Sequence, residues 1–331
     1  MRTAPRLKTG MLLIGTLLFA VCLLSLRFGG APMSWHGFLT ALFSPADAPA
    51  EALVLRYVRL PRLLGALLAG VGLSLAGLLL QAVTENEMAS PSLIGVNAGA
   101  GFAVILALSL APLSYAVLPL FAFLGAFGTT VLIVALAAKM RMKKSAVVLT
   151  GLAVQAILSA GISFLSLLDT DALTGYTAFS VGSLSGVKLS SLLLPLAFVL
   201  LALLFSILFS SRLSLLALGD GMAHSLGVRV GALRLFAMLA ASLSAAAAVS
   251  FAGMLGFVGL VSPHIARRLF GGSFRRLLFP TVLVGALTVA LADLLGRTLF
   301  APTELPVGVL MALFGAPFFL FLLLRKGESH A

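Results

Sequence analysis

Charged residues are scarce in this sequence. Only 10% of the 331 residues are Asp, Glu, Lys or Arg and 61% are hydrophobic, whereas soluble domains carry about 25% charged residues. One soluble core cannot bury so large an apolar share, because a folded domain still exposes much of its surface to water. The composition therefore excludes a soluble enzyme, a secreted disulfide scaffold and a disordered chain.

Cysteine and clusters of metal ligands are also lacking. Cys22 is the single cysteine, so no internal disulfide can form. The four histidines are scattered, and no group of His, Cys, Asp and Glu has metal-ligand spacing. The sequence has neither a phosphate-binding Gly-x-x-x-x-Gly-Lys-Ser/Thr loop nor a Ser/His/Asp pattern. We therefore expect no catalytic residue, metal site or bound cofactor, and any ATP used must be hydrolysed by another subunit.

Long apolar runs take the place of these features. A transmembrane helix needs about 20 apolar residues, and about ten such runs predict an all-α, polytopic membrane protein with about ten transmembrane helices. The runs cover residues 9–26, 60–81, 93–110, 114–138, 146–167, 189–210, 231–249, 251–265, 277–297 and 306–324.

The eighth run, 251–265, differs from the others. It is short and is interrupted by three glycines and a proline, so it is either a half-helix beside a pathway or a plain short helix. No change in composition marks a domain boundary, and the predicted outside segments 27–58 and 168–188 are too short for a soluble domain. Residues 1–331 are expected to form a single transmembrane domain.

The basic residues predict the orientation, because cytoplasmic loops retain Lys and Arg. With the N-terminus inside, 16 of the 22 basic residues fall on the cytoplasmic side and 6 on the outside. Both termini are therefore expected in the cytoplasm. This asymmetry explains the net charge of +12 without a nucleic-acid partner.

Asp293 is the one clear ionisable residue within a predicted span, and a charge there must be paired or functional. It precedes Arg297 by four residues and shares a helical face with it, which favours a local ion pair. Alternatively, Asp293 orients an outward-pointing Arg297 toward a partner. The sequence has no series of intramembrane acids or histidines, which disfavours a proton-driven secondary carrier.

Two further segments each allow two interpretations. The predicted cytoplasmic stretch 215–227 is too apolar for a solvated loop, so it either packs on its own protein or docks into a groove of a soluble partner. The outside segment 56–62 carries three arginines, which could contact lipid headgroups or an acidic protein surface.

Ordered motifs along almost the whole chain resemble FecCD-type integral membrane permeases of binding-protein-dependent ABC importers for iron-siderophores, haem and cobalamin. One position departs from the family pattern, because Glu87 stands where a proline is usual. This difference puts the local loop geometry, but not the family, in question. The motifs are Arg59-Leu60-Pro61-Arg62, the glycine-rich run ending at Gln81, Glu85–Pro91 with Leu93–Val96, Ala217–Asp220 with Leu226-Gly227, Gly256–His264, Glu304–Gly308 and Gly315–Phe318.

The resemblance implies a type II ABC importer permease fold, a multi-pass position in the cytoplasmic (inner) membrane of a bacterium and a set of partners. These are a second permease subunit (a homodimer or a paralogue), two cytoplasmic ATPases that use ATP and Mg, an extracytoplasmic substrate-binding protein and membrane lipid. It favours partner docking for the apolar loop around 212–229, with an ATPase-coupling role for Leu215, Ala217, Leu218, Gly219, Asp220, Ala223, Leu226 and Gly227.

The resemblance also suggests roles for two groups of basic residues. Arg59, Arg62 and Arg297 match outward arginines that dock the binding protein. Lys143, Lys144 and Ser145 lie where the family closes its cytoplasmic gate. The expected function is a permease, not an enzyme, that translocates a metal chelate. An iron(III)-siderophore is the first choice, with cobalamin or haem as alternatives and a secondary carrier as a more distant one.

The orientation can be tested by cysteine labelling in intact cells, after Cys22 is replaced by Ala. A cysteine at Ser145 or Ser273 should resist a membrane-impermeant thiol reagent, whereas one at Ala48 or Thr170 should react, because the largest basic clusters flank the first two positions. Permeabilised cells provide the control, in which all four positions should react. Labelling of Ser145→Cys from outside would reverse every assignment of sides given above.

Overall fold

The computed structural model describes residues 4–30, 33–44, 46, 49–110, 117–139 and 144–328, and every regular element in these residues is helical. A π-helical turn, Leu55–Arg59, joins α3 to α4. The helices are α1 Ala4–Arg27, α2 Trp35–Phe43, α3 Pro49–Val54, α4 Leu60–Thr84, α5 Val96–Leu110, α6 Leu118–Lys139, α7 Lys144–Leu168, α8 Thr170–Val181, α9 Leu193–Leu208, α10 Ser210–Leu216, α11 Asp220–Ser225, α12 Val230–Ala252, α13 Val258–Phe270, α14 Phe274–Thr298 and α15 Val307–Glu328.

Each of the ten predicted apolar runs overlaps one of these helices, which confirms the all-α, polytopic fold class. Seven helical spans in the described residues are long and apolar enough to cross a membrane. The helices α5 and α15 hold shorter apolar stretches, and α13 is shorter still. The count of ten is therefore approximate. The seven spans are Lys8–Arg27, Pro49–Thr84, Leu118–Lys139, Val147–Leu168, Leu189–Leu208, Val230–Ala252 and Phe274–Thr298.

The helix α4 occupies the centre of the bundle. In the most apolar 18-residue stretch of the span Pro49–Thr84, 83% of the residues are buried. In the corresponding stretch of the span Val147–Leu168, 17% are buried. The helices α12, α13 and α14 surround α4. The span in α7 therefore presents most of its side chains to lipid or to another subunit, whereas α4 is enclosed by its own chain.

Small residues allow the neighbouring helices to approach α4 closely. A Cβ atom on Gly77 would meet the backbone of Gly259 in α13, and one on Gly70 would meet the backbone of Gly285 in α14. On the α12 side, the Ser244 hydroxyl donates to the Gly72 carbonyl at 2.9 Å. Such contacts maximise van der Waals packing where lipid gives no hydrophobic drive for helix association.

The predicted eighth span has different bounds from those expected. The helix α12 continues to Ala252, and residues 253–257 are non-helical, with positive φ at Gly253 and Phe257. The helix α13 then has 13 residues, a length of about 20 Å, which is less than the hydrocarbon core of a bilayer. The glycines thus end one helix before the next begins. The proposed position beside a pathway stays a prediction.

Three helices lie in segments that the sequence predicted as outside loops: α2, α3 and α8. Ser34 is the residue just before α2, and its Oγ accepts a hydrogen bond from the Gly37 amide at 2.9 Å. Asp169 begins α8, and its Oδ1 accepts from two backbone amides. Both are ordinary helix N-cap residues, and their side chains are the signal that could have located these helices.

The packing of α4 can be tested by adding one methyl group. The variant Gly77→Ala should lose about 1–3 kcal/mol of stability, because the new Cβ must displace the backbone of α13. Thermal unfolding of the detergent-purified protein measures the loss. The control is Gly128→Ala in α6, where nothing lies within 4 Å of the added atom, and alanine there should stabilise slightly. Equal unfolding temperatures for the two variants would contradict the close approach.

Candidate functional site

A cluster of charged side chains lies where α4, α14 and the segment after α14 meet. We call Arg59, Arg62, Asp293, Arg297 and Glu304 the outer cluster, because the orientation of the chain predicts this end outside. Arg62 Nε lies 2.9 Å from Asp293 Oδ1, and Arg62 Nη1 lies 2.6 Å from Glu304 Oε2. Arg297 Nε lies 3.5 Å from Asp293 Oδ2. Asp293 thus bridges two guanidinium groups.

The same cluster holds the C-terminal end of α1. Arg297 Nη2 donates to the Ser25 carbonyl at 2.6 Å, and Arg59 Nη1 donates to the carbonyls of Leu26, at 2.8 Å, and Arg27. The last four carbonyls of an α-helix have no partner within the helix, and cations there are favoured by the helix dipole. The two arginines therefore cap α1 against the core helices.

The π-helical turn sets the direction of Arg59. Arg59 is buried at its end, whereas Arg56, Tyr57 and Val58 within the turn are exposed. A π turn inserts one residue into a helix and changes which residues face inward. This turn directs Arg59 to the core and leaves Arg56 at the surface.

The side chains of Arg59, Arg62 and Arg297, which the resemblance assigns to binding-protein docking, are buried in this chain. They are 2%, 8% and 2% exposed, because a charge removed from water needs partners and this chain supplies its own carboxylates and carbonyls. Their role in binding-protein docking stays a prediction. The local Asp293–Arg297 pair, the simpler interpretation, is present. The pairing with Arg62 was missed because 231 positions separate it from Asp293.

At the opposite end of α4, α10 and α11 form a compact, two-sided loop. Leu213, Leu216 and Ala223 are buried against the protein. Leu218, Met222 and Leu226 are 59%, 56% and 55% exposed, and we call them the loop patch. Met222 in α11 and Leu226 at its C-cap are four positions apart and share a side of this helix. The loop therefore combines both interpretations left open by the sequence: one face packs on its own protein and the other is unpartnered in the chain.

The remaining predicted coupling residues shape this loop. Gly219 and Gly227 have φ values of 90° and 81°, which suit glycine and begin and end the connection around α11. Leu215 is half-buried, and Ala217 and Asp220 are exposed. Asp220 Oδ1 accepts a hydrogen bond from Arg234 Nη2 at 2.9 Å, a contact that the sequence analysis missed.

A cavity of about 380 Å³ lies between the loop, the end of α4 and the start of α14. Its lining includes Gln81 and Glu87 from the α4 side and Arg267 from α13. Arg267 Nη1 lies 3.3 Å from Glu87 Oε1, and Arg267 Nη2 donates to Gln81 Oε1 at 3.2 Å. The acid that replaces the usual proline therefore pairs with a cation, so this departure gives the turn an ionic contact with α13.

The predicted gate residues give less information. Lys143 lies outside the described residues. Lys144 and Ser145 begin α7, but their side chains lie outside the described part of the chain. Their gate role stays a prediction.

Comparison with known proteins finds a family match over nearly the whole chain. Residues 17–325 match the model of the FecCD transport family. The chain is 40% identical over 321 residues to the Fe(3+) dicitrate transport system permease protein FecD of Escherichia coli, covering 96% of this chain and 99% of the relative. It is 34% identical to the hemin transport system permease protein HmuU of Yersinia pestis, covering 100% of this chain and 99% of the relative.

A solved structure is also similar along the chain. It is described as an inward-facing conformation of a metal-chelate type ABC transporter. The two chains are 32% identical, superpose with a TM-score of 0.84, and the match covers 94% of this chain and 97% of the other. The similarity therefore extends to the three-dimensional arrangement of the helices.

The outer cluster can be tested through Asp293. The variant Asp293→Asn should lose about 3 kcal/mol of stability, because Arg62 and Arg297 lose their shared charge while staying buried. Glu304→Gln is the comparison; its carboxylate side chain is 35% exposed, so the loss should stay below about 1 kcal/mol. Unfolding in detergent compares the two. An unchanged Asp293→Asn protein would show that the cluster does not hold the helices together.

Proposed function

The chain belongs to the FecCD transport family, and on that basis we propose that it is the permease subunit of an ABC importer that translocates an iron(III)-siderophore chelate. Members of this family are transport proteins of the inner membrane rather than enzymes, and ATP is used by the partner ATPase. Relatives named for iron(III) citrate and iron(III) hydroxamate support the cargo.

Within the structure, the single observation that supports coupling to an ATPase is the loop patch. Three apolar side chains, each more than half exposed, lie at the end of the protein that the basic residues predict to be cytoplasmic. Fully burying a side chain of this size stabilises a complex by about 1.5–3 kcal/mol, so half-exposed ones contribute correspondingly less. We infer that the patch fits a cleft of a soluble ATPase, with Gly219 and Gly227 setting the turns on either side.

The outer cluster supports docking of a substrate-binding protein at the other end. Its three guanidinium groups face two carboxylates, which leaves one net positive charge. Arg56 adds an exposed cation nearby. We propose that an acidic surface of the binding protein meets the exposed Arg56 beside the cluster. The buried Arg59, Arg62 and Arg297 would keep this end of the protein in its conformation and add positive potential there.

Transport then consists of a change in helix packing. We propose that a second permease subunit completes the pathway and that ATP-driven closure of two ATPases moves the loops, which shifts the helices between outward-open and inward-open arrangements. Backbone contacts such as that between Gly77 and Gly259 leave no long side chains interlocked. Helices in such contact can therefore move relative to each other without the separation of interdigitated side chains.

Haem is the second candidate cargo, because HmuU is a hemin permease by name and matches the whole chain. The two cargoes can be separated by reconstituting the permease with its ATPase and binding protein in liposomes. Import of an iron-loaded siderophore, and not of hemin, supports the proposal. Import of hemin alone would show that hemin, and not the siderophore chelate, is the cargo. Import of either compound without the ATPase would indicate a secondary carrier.

The docking role of the loop patch can be tested with Leu226→Asp. We expect at least a tenfold loss of ATPase co-purification and of uptake with normal membrane insertion, because an apolar cleft cannot accept an unpaired, desolvated carboxylate. Leu226→Met is the matched control, since it keeps the size and polarity and should behave like wild type. Unchanged co-purification in Leu226→Asp would remove the patch from the ATPase interface.

A further inference from the structure

Arg234 links three separate parts of the chain and has no role in the functions described so far. It lies in the first turns of α12, and its residue is 5% exposed. Its Nε donates to the Val83 carbonyl at 2.9 Å, and its Nη2 donates to Asp220 Oδ1 at 2.9 Å. Glu85 Oε1 is 3.8 Å from the same Nη2 atom. The side chain of Arg234 therefore links its own helix, α12, to the end of α4 and to the start of α11.

Each partner of Arg234 has a physical reason to be there. The Val83 carbonyl is among the last four of α4, which lack partners within that helix. Asp220 is the first residue of α11, and Gly219 before it provides no side-chain cap. A planar guanidinium can hold two acceptors in a fixed relation, whereas an ammonium group is a point charge on a flexible stem.

The helix α4 extends this link across the membrane. Arg62 of the outer cluster stands near its start and Val83 near its end. Twenty-one residue steps at 1.5 Å make a distance of about 32 Å. The helix is enclosed by its neighbours along its length. A displacement applied at Val83 therefore reaches the outer cluster through one packed, continuous helix.

We propose that Arg234 is a positioning residue that transmits the movement of the ATPase-bound loop to α4 through the Asp220–Arg234–Val83 contact. This inference rests on the proposed function, since it assumes that α10 and α11 follow the ATPase. The side chain of Asp220 is 47% exposed, whereas that of Arg234 is 6% exposed. The contact thus joins a surface group that the partner can move to a buried group that is hydrogen-bonded to α4.

Asp220→Asn is the sharpest test, because it removes one charge at the surface and leaves the Arg234–Val83 hydrogen bond in place. The complete transporter in liposomes is assayed for ATP hydrolysis, imported cargo and retained ATPase. We expect the variant to retain the ATPase within twofold of wild type and to hydrolyse ATP, while cargo imported per ATP falls at least fivefold.

Variants at Arg234 test whether the two residues act as one unit. Arg234→Gln should reduce cargo per ATP by at least as much as Asp220→Asn, and Arg234→Lys should recover only part of it. The double variant Asp220→Asn with Arg234→Gln should be no worse than Arg234→Gln alone, since both remove the same link. Arg268→Gln is the matched control, because Arg268 is an exposed arginine of α13, outside the coupling loop, and should leave cargo per ATP unchanged.

The outcomes separate this inference from the proposed function. The transmitting role would be overturned if Asp220→Asn imported as much cargo per ATP as the wild type. It would also be overturned if the loss in the double variant equalled the product of the losses in the two single variants. Loss of bound ATPase in Asp220→Asn would overturn it too, by making Asp220 a docking residue. Failure of the wild-type permease to bind any ATPase would instead defeat the proposed function itself.

Discussion

The close contact of α4 with its neighbours is the constraint on which the rest of the structure depends. The helix packs through glycine against the backbones of α13 and α14, which fixes the position of its two ends. Arg62 of the outer cluster lies in its first turn, and the Val83 carbonyl in its last turn accepts a hydrogen bond from Arg234, which also holds the apolar loop through Asp220. Neither charged group could keep its geometry in this conformation if α4 were loosely packed.

The two ends of α4 use the same chemistry in different places. At one end, Arg59 and Arg297 donate to the last carbonyls of α1, and at the other Arg234 donates to a last carbonyl of α4. In each case, a buried guanidinium satisfies carbonyls that no amide of the helix can reach. Each carbonyl gives a buried guanidinium a hydrogen-bond acceptor, and the same hydrogen bond joins one helix to the next. Few buried carboxylates are therefore needed to pair with these cations.

Much of this could be predicted from the sequence, with particular exceptions. The apolar runs locate the main helices because a membrane demands their length and composition, and the apolar loop is identified because it is too hydrophobic for water. The direction of Arg62 could not be predicted, since its partner Asp293 lies 231 positions away and only packing brings the two together. The same holds for Arg234, whose acceptor Val83 is a backbone carbonyl 151 positions away and leaves no signal in the sequence.

The exposed loop patch has a consequence for the making of the protein. If this end of the protein faces the cytoplasm, as the basic residues predict, a newly inserted subunit exposes Leu218, Met222 and Leu226 there until a partner binds, and an uncovered apolar surface favours aggregation. If the loop patch binds the ATPase, production of the two subunits in equal amounts keeps the patch covered. Permease molecules in excess over the ATPase would then be the ones most open to chaperones and to proteolysis.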